Sequence, residues 1–261
     1  MRATIPLLII AGACWLAGGC SKETSPTSSG ADTTGTNNGA DTTKKTTDLP
    51  PGYEKFNSSV HVYVDGDYVV IQTNDIPDHK SPYFAATDSR YEAYNGSNPQ
   101  FRINPNRIRE QNMTFRIPRH PALDQQHQET PLGAIGVALN GVAIFNQYAA
   151  QRMPLTDEIN SFDQYDGHPQ QQGAYHYHAE PFYLTANKGK DALLGFLLDG
   201  FPVYGPQENG KTVTNADLDE YHGHFGATAE YPEGIYHYHV TAEDPYINGN
   251  GFYGAPGTVS Q

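Results

Sequence analysis

The chain has 261 residues, and its 29 acidic against 16 basic side chains give a formal net charge of −13. Since no cluster of lysines or arginines follows residue 50, this charge balance argues against nucleic acids and anionic membrane surfaces as partners. The length is sufficient for one sizeable hydrophobic core.

The first 20 residues have the pattern of a secretory signal peptide. Arg2 precedes an apolar run over residues 5–16, which is too short to span a bilayer, and small residues lead to Cys20. This cysteine resembles the lipobox of bacterial lipoproteins, in which it is lipidated and becomes the new N-terminus, although Ala17 replaces the usual larger aliphatic residue. We expect Cys20 to anchor the chain in the cell envelope, with Ser21 favouring the outer membrane. An uncleaved membrane anchor is the alternative.

Residues 21–49 are predicted to form a flexible tether. From Ser21 to Thr47 almost every residue is Ser, Thr, Gly, Asn, Asp, Lys or Ala. Such a stretch cannot bury enough apolar surface to offset its chain entropy. As a coil it would let the following domain stand about 30 Å from the membrane.

The remaining residues, 50–261, are predicted to form a single, mainly β domain of short strands and long loops. Val60–Val64 and Tyr68–Gln72 flank Asp65-Gly66-Asp67, a pattern typical of a β-hairpin with a tight turn. A weak helical pattern covers Ala216–Tyr221. The other predicted strands are Met113–Ile117, Gly136–Leu139, Val142–Phe145, Tyr175–His178, Phe182–Leu184, Leu194–Leu198, Val203–Tyr204 and Ile235–Val240.

Three blocks of sequence occur twice in the same order, which indicates an internal duplication. We predict two pseudo-symmetric halves, about 132–181 and 193–245, each with an Asn-Gly or Asp-Gly turn, a loop ending in Gly-His and a Tyr-His-Tyr-His strand. The matching blocks are 136–146 with 195–205, 162–168 with 218–224, and 173–178 with 234–239.

The two Tyr-His-Tyr-His segments, together with Leu198–Pro206 and Ile76–His79, resemble the bacterial YHYH-domain proteins, which are named for that tetrapeptide. The resemblance covers about residues 60–255 and implies little about mechanism. Many of those proteins have a cysteine before the Gly-His pair, where this chain has Tyr165 and Tyr221. A role of that cysteine therefore does not carry over to this chain.

Histidines on the two repeated strands form candidate metal sites. Side chains alternate between the faces of a strand, so His176 and His178 share one face, about 6.6 Å apart, as do His237 and His239. His168 and His224 lie on a loop shortly before each strand. These six imidazoles could converge on one shared ion or form two sites of three histidines.

A set of neutral imidazoles without a thiolate favours copper or zinc and argues against a zinc-finger type of structural site. Three ligands with an open position would favour catalysis or ligand binding, whereas four would favour a structural or electron-transfer role. The single-copy histidines His79 and His222 are weaker candidates.

Two other functions compete with metal binding. In the first, a metal-free enzyme would use histidine as a general base oriented by Asp163 or Asp219, which would equally serve as hydrogen-bond acceptors behind metal-ligating histidines. In the second, the His/Tyr network is structural and the protein is a surface module that binds a saccharide or a protein. Aromatic clusters at Tyr91–Tyr94 and Tyr246–Tyr253 would then stack on the ligand.

The sequence therefore predicts an envelope lipoprotein with a mainly β, His-rich domain that binds copper or zinc. Whether the site also turns over a substrate is left open, as is the identity of a small-molecule or saccharide ligand.

Overall fold

The computed structural model describes residues 48–261, so Cys20, the predicted signal peptide and nearly all of the predicted tether lie outside the described residues. The described part belongs to one compact unit and is mainly β, as predicted. It has one α-helix, α1 (Phe182–Lys188). Its strands are β1 (His61–Asp65), β2 (Tyr68–Thr73), β3 (Met113–Pro118), β4 (Ala134–Ala138), β5 (Ala143–Phe145), β6 (Gly167–Pro169), β7 (Tyr175–Tyr177), β8 (Leu193–Leu197), β9 (Pro202–Tyr204), β10 (Gln207–Glu208), β11 (Lys211–Thr212), β12 (Gly223–Gly226), β13 (Ile235–His239) and β14 (Thr258–Ser260).

An eight-stranded sheet of order β12-β13-β9-β8-β4-β5-β7-β6 contains all three pairs of repeated blocks. Counted inward from its two edges, the order is β12-β13-β9-β8 on one side and β6-β7-β5-β4 on the other. The central strands β4 and β8 pair antiparallel, with Val137 opposite Phe196. Each repeated block therefore occupies a matching place in its half of the sheet.

A smaller four-stranded sheet, β1-β2-β3-β14, packs against the large one. The predicted hairpin is confirmed, since Asp65 pairs with Tyr68 across a two-residue turn. Val69 and Ile71 of β2 belong to the same buried cluster as Ile135 and Phe196 of the large sheet. Burial of apolar side chains between the two sheets supplies the main driving force for folding.

Two predictions that concern helices differ from the structure. Phe182–Leu184, predicted as a strand, forms the start of α1. The prediction was wrong because three apolar residues are too few to distinguish a buried helical turn from a strand. The weak helical pattern at Ala216–Tyr221 yields only a short 3-10 helix at Asn215–Asp217. Within residues 48–261, no helix has the length and apolar character needed to cross a membrane.

Candidate metal centres

The Gly-His pairs lie on edge strands rather than on loops. β6 pairs with β7 so that His168 is directly opposite His176, and β12 pairs with β13 so that His224 is directly opposite His237. Directly opposed residues of an antiparallel pair share one face of the sheet. His178 and His239, two residues further along, lie on that same face.

The six predicted histidines consequently fall into two separate triads. In the first triad, His168, His176 and His178 each offer a ligand atom within 4.8 Å of the others, and the second triad brings together His224, His237 and His239 with Glu208. Five strand-to-strand steps separate β7 from β13, which is roughly 24 Å at the usual strand spacing. Of the two arrangements considered from sequence, the geometry matches two sites, one in each half.

The sequence around each Gly-His pair explains how the histidines are placed. A Cβ on Gly167 would lie 2.4 Å from the ring of Tyr175, and a Cβ on Gly223 would lie 2.5 Å from the ring of Tyr236. Glycine is therefore required where the tyrosine ring crosses the edge strand. The next residue points to the opposite face, which brings His168 or His224 into its triad.

In the first triad, hydrogen bonds to the Nδ1 atoms determine which ring nitrogen is free. His176 Nδ1 lies 3.2 Å from the Ala174 carbonyl and His178 Nδ1 lies 2.6 Å from the Asn146 carbonyl. A carbonyl only accepts, so both Nδ1 atoms carry the proton and both Nε2 atoms present a lone pair. These two Nε2 atoms are nevertheless only 3.0 Å apart.

At His168 a hydroxyl group, rather than a backbone carbonyl, determines which ring nitrogen carries the proton. Ser161 donates its hydrogen to the Glu158 carbonyl at 2.8 Å, so its oxygen accepts from His168 Nδ1 at 2.7 Å. Asn104 Nδ2 is also 3.4 Å from that Nδ1 but has the Pro169 carbonyl as an acceptor at 3.2 Å. His168 Nε2 is buried and makes no hydrogen bond to any of residues 48–261.

The second triad has the same kind of Nδ1 acceptor for the two histidines of β13 but a different close pair of Nε2 atoms. His237 Nδ1 donates to the Ile235 carbonyl at 3.0 Å, and His239 Nδ1 donates to the Gly205 carbonyl at 2.8 Å. His224 Nε2 and His237 Nε2 are 3.1 Å apart. His239 Nε2 is buried without a hydrogen-bond partner in the described part of the chain.

Burial also favours the neutral form of five of these imidazoles, the form in which histidine ligates a metal. Loss of hydration lowers the pKa of His168 to about 3, that of His178 to about 4 and that of His176 well below its usual value. In the second triad, burial lowers the pKa of His239 to about 4 and also lowers that of His237.

The residues present fit a transition-metal ion. Two nitrogens bound to one tetrahedral ion at about 2.1 Å lie about 3.4 Å apart, close to the separations of the paired Nε2 atoms. Without an ion, the lone pairs of His176 and His178 at 3.0 Å would repel each other, whereas His224 Nε2 can donate a hydrogen to His237 Nε2 at 3.1 Å. The unpartnered Nε2 atoms of His168 and His239 would gain a partner from the same ion.

Each triad has a nearby carboxylate that the sequence pattern did not indicate. Glu158 Oε1 lies 3.3 Å from His168 Nε2, and the two oxygens of Glu208 lie 3.6 and 3.7 Å from the Nε2 atoms of His237 and His224. Glu158 is on a 3-10 helix and Glu208 is on β10, so the two are not matched by the sequence repeat. An isolated acidic residue in a loop or short strand gives no sequence signal of its role.

Asp163 and Asp219 lie on the tyrosine face of the sheet and do not bond to the triads. Asp163 accepts the Tyr175 hydroxyl at 2.9 Å, and Asp219 accepts the Tyr236 hydroxyl at 2.8 Å. The contact expected of them, an acceptor for a histidine Nδ1, is made by backbone carbonyls and by Ser161. Their catalytic role stays a prediction.

The weaker candidates His79 and His222 belong to neither triad. His79 donates from Nδ1 to the Lys80 carbonyl, so its Nε2 accepts the Tyr177 hydroxyl at 3.0 Å. His222 Nε2 lies 3.1 Å from the Asn215 side-chain oxygen. In both cases a neighbouring polar group already engages the ring.

The predicted saccharide-stacking rings are largely engaged within the protein. Tyr94 stacks on Phe101 with centroids 3.8 Å apart, and Tyr253 stacks on Tyr236 at 3.5 Å. Tyr91 retains 38% exposure. The geometry therefore offers less support for an aromatic binding platform than for the metal centres.

A family model described as YHYH protein matches residues 114–214 and 207–251. These ranges include both histidine triads and both neighbouring glutamates. No curated protein and no solved structure shows a significant match to the chain.

Proposed function

The chain belongs to the YHYH protein family, and from the chemistry of its two histidine triads we propose that it is a transition-metal-binding protein with one site in each half of the eight-stranded sheet. The ligands of the first site are His168, His176 and His178. Those of the second are His224, His237 and His239.

The observation that carries this proposal is the common direction of the Nε2 lone pairs. At four of the six histidines a backbone carbonyl fixes the proton on Nδ1, and at His168 the Ser161 hydroxyl does so. A purely structural network would pair the remaining nitrogens with donors. Instead, the Nε2 lone pairs of His176 and His178 face each other at 3.0 Å, and in the second triad His239 Nε2 is buried without a partner among the described residues.

The donor set favours copper or zinc. Neutral imidazole is a borderline ligand that suits both ions, and each triad lacks a thiolate. Three histidines leave a coordination position for Glu158 or Glu208, for water or for an added ligand. Such an ion would act as a Lewis acid on a molecule bound at that position.

Elemental analysis of the purified full-length protein tests the proposal. We expect two equivalents of copper or zinc per chain after purification without chelator. His178→Ala and His239→Ala should each lower the content by about one equivalent, because each removes one of three ligands from one site.

The matched control is His61→Ala, which removes an exposed histidine of β1 that belongs to neither triad. It should leave two equivalents bound. Absence of stoichiometric metal from the parent protein, even after incubation with excess Cu²⁺ or Zn²⁺, would contradict the proposal and favour a structural histidine network.

We also propose that the protein is a lipoprotein of the bacterial cell envelope. The support is the N-terminal pattern: one basic residue, a short apolar run, small residues and Cys20, followed by a polar segment. A lipid on Cys20 would anchor the metal-binding unit at the membrane, with residues 21–49 as the tether.

Replacing Cys20 with Ser should move the protein from the detergent-extracted membrane fraction to the soluble fraction. The melting temperature should stay unchanged, because the buried core is built from residues 49 onward. Fractionation and thermal denaturation of the two proteins measure both effects. A Cys20→Ser protein that still partitions entirely with membranes would exclude lipidation of Cys20 as the anchor.

A further inference from the structure

The two triads have different aromatic walls at matched positions of the repeat. Phe145 ends β5 and its ring stacks on His176, with centroids 3.9 Å apart. Tyr204 ends β9 and approaches His237 edge-on at 5.2 Å. The Tyr204 hydroxyl bonds to Thr228 and Glu230, each at 2.7 Å. The first site therefore has an apolar wall where the second has a polar one.

A cavity of about 390 Å³ opens beside the first triad and is lined by His176 and His178. This volume falls in the range of about 300–1,000 Å³ that is usual for pockets binding small organic molecules. Its uncharged polar groups include three glutamines, and its acidic residue is Glu158. The apolar side chains of the lining are Leu132, Ala134, Phe145, Ala149 and Ala150.

Leu132 is the largest aliphatic side chain in the lining of this cavity. It is 50% exposed, although a large apolar side chain is more often buried. Burial of this surface by an apolar ligand would be favourable.

The cavity beside the second triad is smaller and more polar. Its volume is about 230 Å³, below the usual range for organic ligands. Besides His237 and His239, it is lined by Asp191, Tyr204, Gln207, Glu208, Asn209 and Thr228, and by Ala227 and Ala229. Two carboxylates and several hydrogen-bonding groups suit water or a small polar molecule.

We infer that the two sites take different ligands: the ion of the first triad binds an organic molecule that carries an apolar group, and the second site excludes it. This inference rests on the proposed metal binding. It assigns the larger cavity, which His176 and His178 line, as the place where that ligand would meet the ion.

The test uses the full-length protein loaded with Co²⁺, whose visible bands change when a ligand coordinates. Imidazole and 4-phenylimidazole, which share the donor ring, are titrated separately. We expect 4-phenylimidazole to bind one equivalent per chain at least about tenfold more tightly than imidazole, because only the first cavity can bury the phenyl ring.

Two matched substitutions locate the binding. Ala149→Gln places a polar amide in the first cavity and should remove the preference for the phenyl compound, whereas Ala229→Gln makes the same change at the second cavity and should leave it intact. Leu132→Gln, at a half-exposed position, provides a second variant of the first cavity if Ala149→Gln does not fold.

Equal affinities for the two azoles in the Co²⁺-loaded protein would overturn the inference while leaving the metal sites in place. Loss of the preference in Ala229→Gln alone would also overturn it, since the ligand would then occupy the second cavity. Failure to bind any Co²⁺, Cu²⁺ or Zn²⁺ would instead refute the proposed function itself, and the inference with it.

Discussion

Removal of metal from the Zn²⁺-saturated protein is expected to lower its melting temperature by roughly 15–30 °C. An ion at a thousandfold excess over its Kd stabilises the folded state by about 4 kcal/mol per site, or about 8 kcal/mol for two sites. For a unit of this size, each kcal/mol corresponds to roughly 2–4 °C. Loss of the ions would also leave the Nε2 lone pairs of His176 and His178 facing each other at 3.0 Å.

Thermal denaturation with excess Zn²⁺ and with excess chelator measures this shift. The double variant His178→Ala/His239→Ala should melt at the same temperature under both conditions, because each triad has lost a ligand. His61→Ala, outside both triads, should show the full shift. A parent protein whose melting is insensitive to chelator would be inconsistent with two stabilising metal sites.

Substitution of Asp163 by Ala should cost about 3 kcal/mol without lowering the metal content. The carboxylate is 2% exposed and accepts hydrogen bonds from the Ser81 hydroxyl, the Tyr175 hydroxyl and the Tyr165 amide. Buried donors left without an acceptor cost about 1–3 kcal/mol each, and local relaxation recovers part of this. The expected fall in melting temperature is roughly 6–12 °C.

The metal content should stay at two equivalents, since the Nδ1 acceptors of the first triad are Ala174, Asn146 and Ser161. Asp157→Ala is the matched control, because this aspartate is exposed and its side chain makes no capping hydrogen bond. It should change stability by less than about 0.5 kcal/mol. A loss of one metal equivalent in Asp163→Ala with unchanged melting would restore the role of a histidine-orienting acid.

Three polar positions account for the difference between the two tyrosine faces. The Tyr238 hydroxyl donates to Asp199 at 2.6 Å. In the other half the matching turn residue is Asn140, which donates to the Tyr177 hydroxyl at 3.1 Å, and His79 accepts the tyrosine proton instead. His79 thus has a structural explanation that the sequence did not indicate, because it lies far along the chain from both residues.

The errors of the sequence prediction have separate physical causes. Phe182–Leu184 was too short a run to reveal its helical period, and the Gly-His pairs gave no strand signal because glycine and proline weaken strand propensity. Asp163 and Asp219 lie close to the histidines in sequence but bond to tyrosines on the other face of the sheet. Distance along the chain does not specify the face on which a loop side chain ends.

The sequence by itself determined the features that depend on local geometry: the hairpin turn, the mainly β character, and the placement of both histidines of each Tyr-His-Tyr-His strand on one face. Only the tertiary structure decided that β6 and β12 pair beside these strands, that the six histidines form two triads, and that Glu158 and Glu208 lie beside them. Alternation along a strand follows from backbone stereochemistry, whereas the choice of neighbouring strand depends on packing between residues distant in the chain.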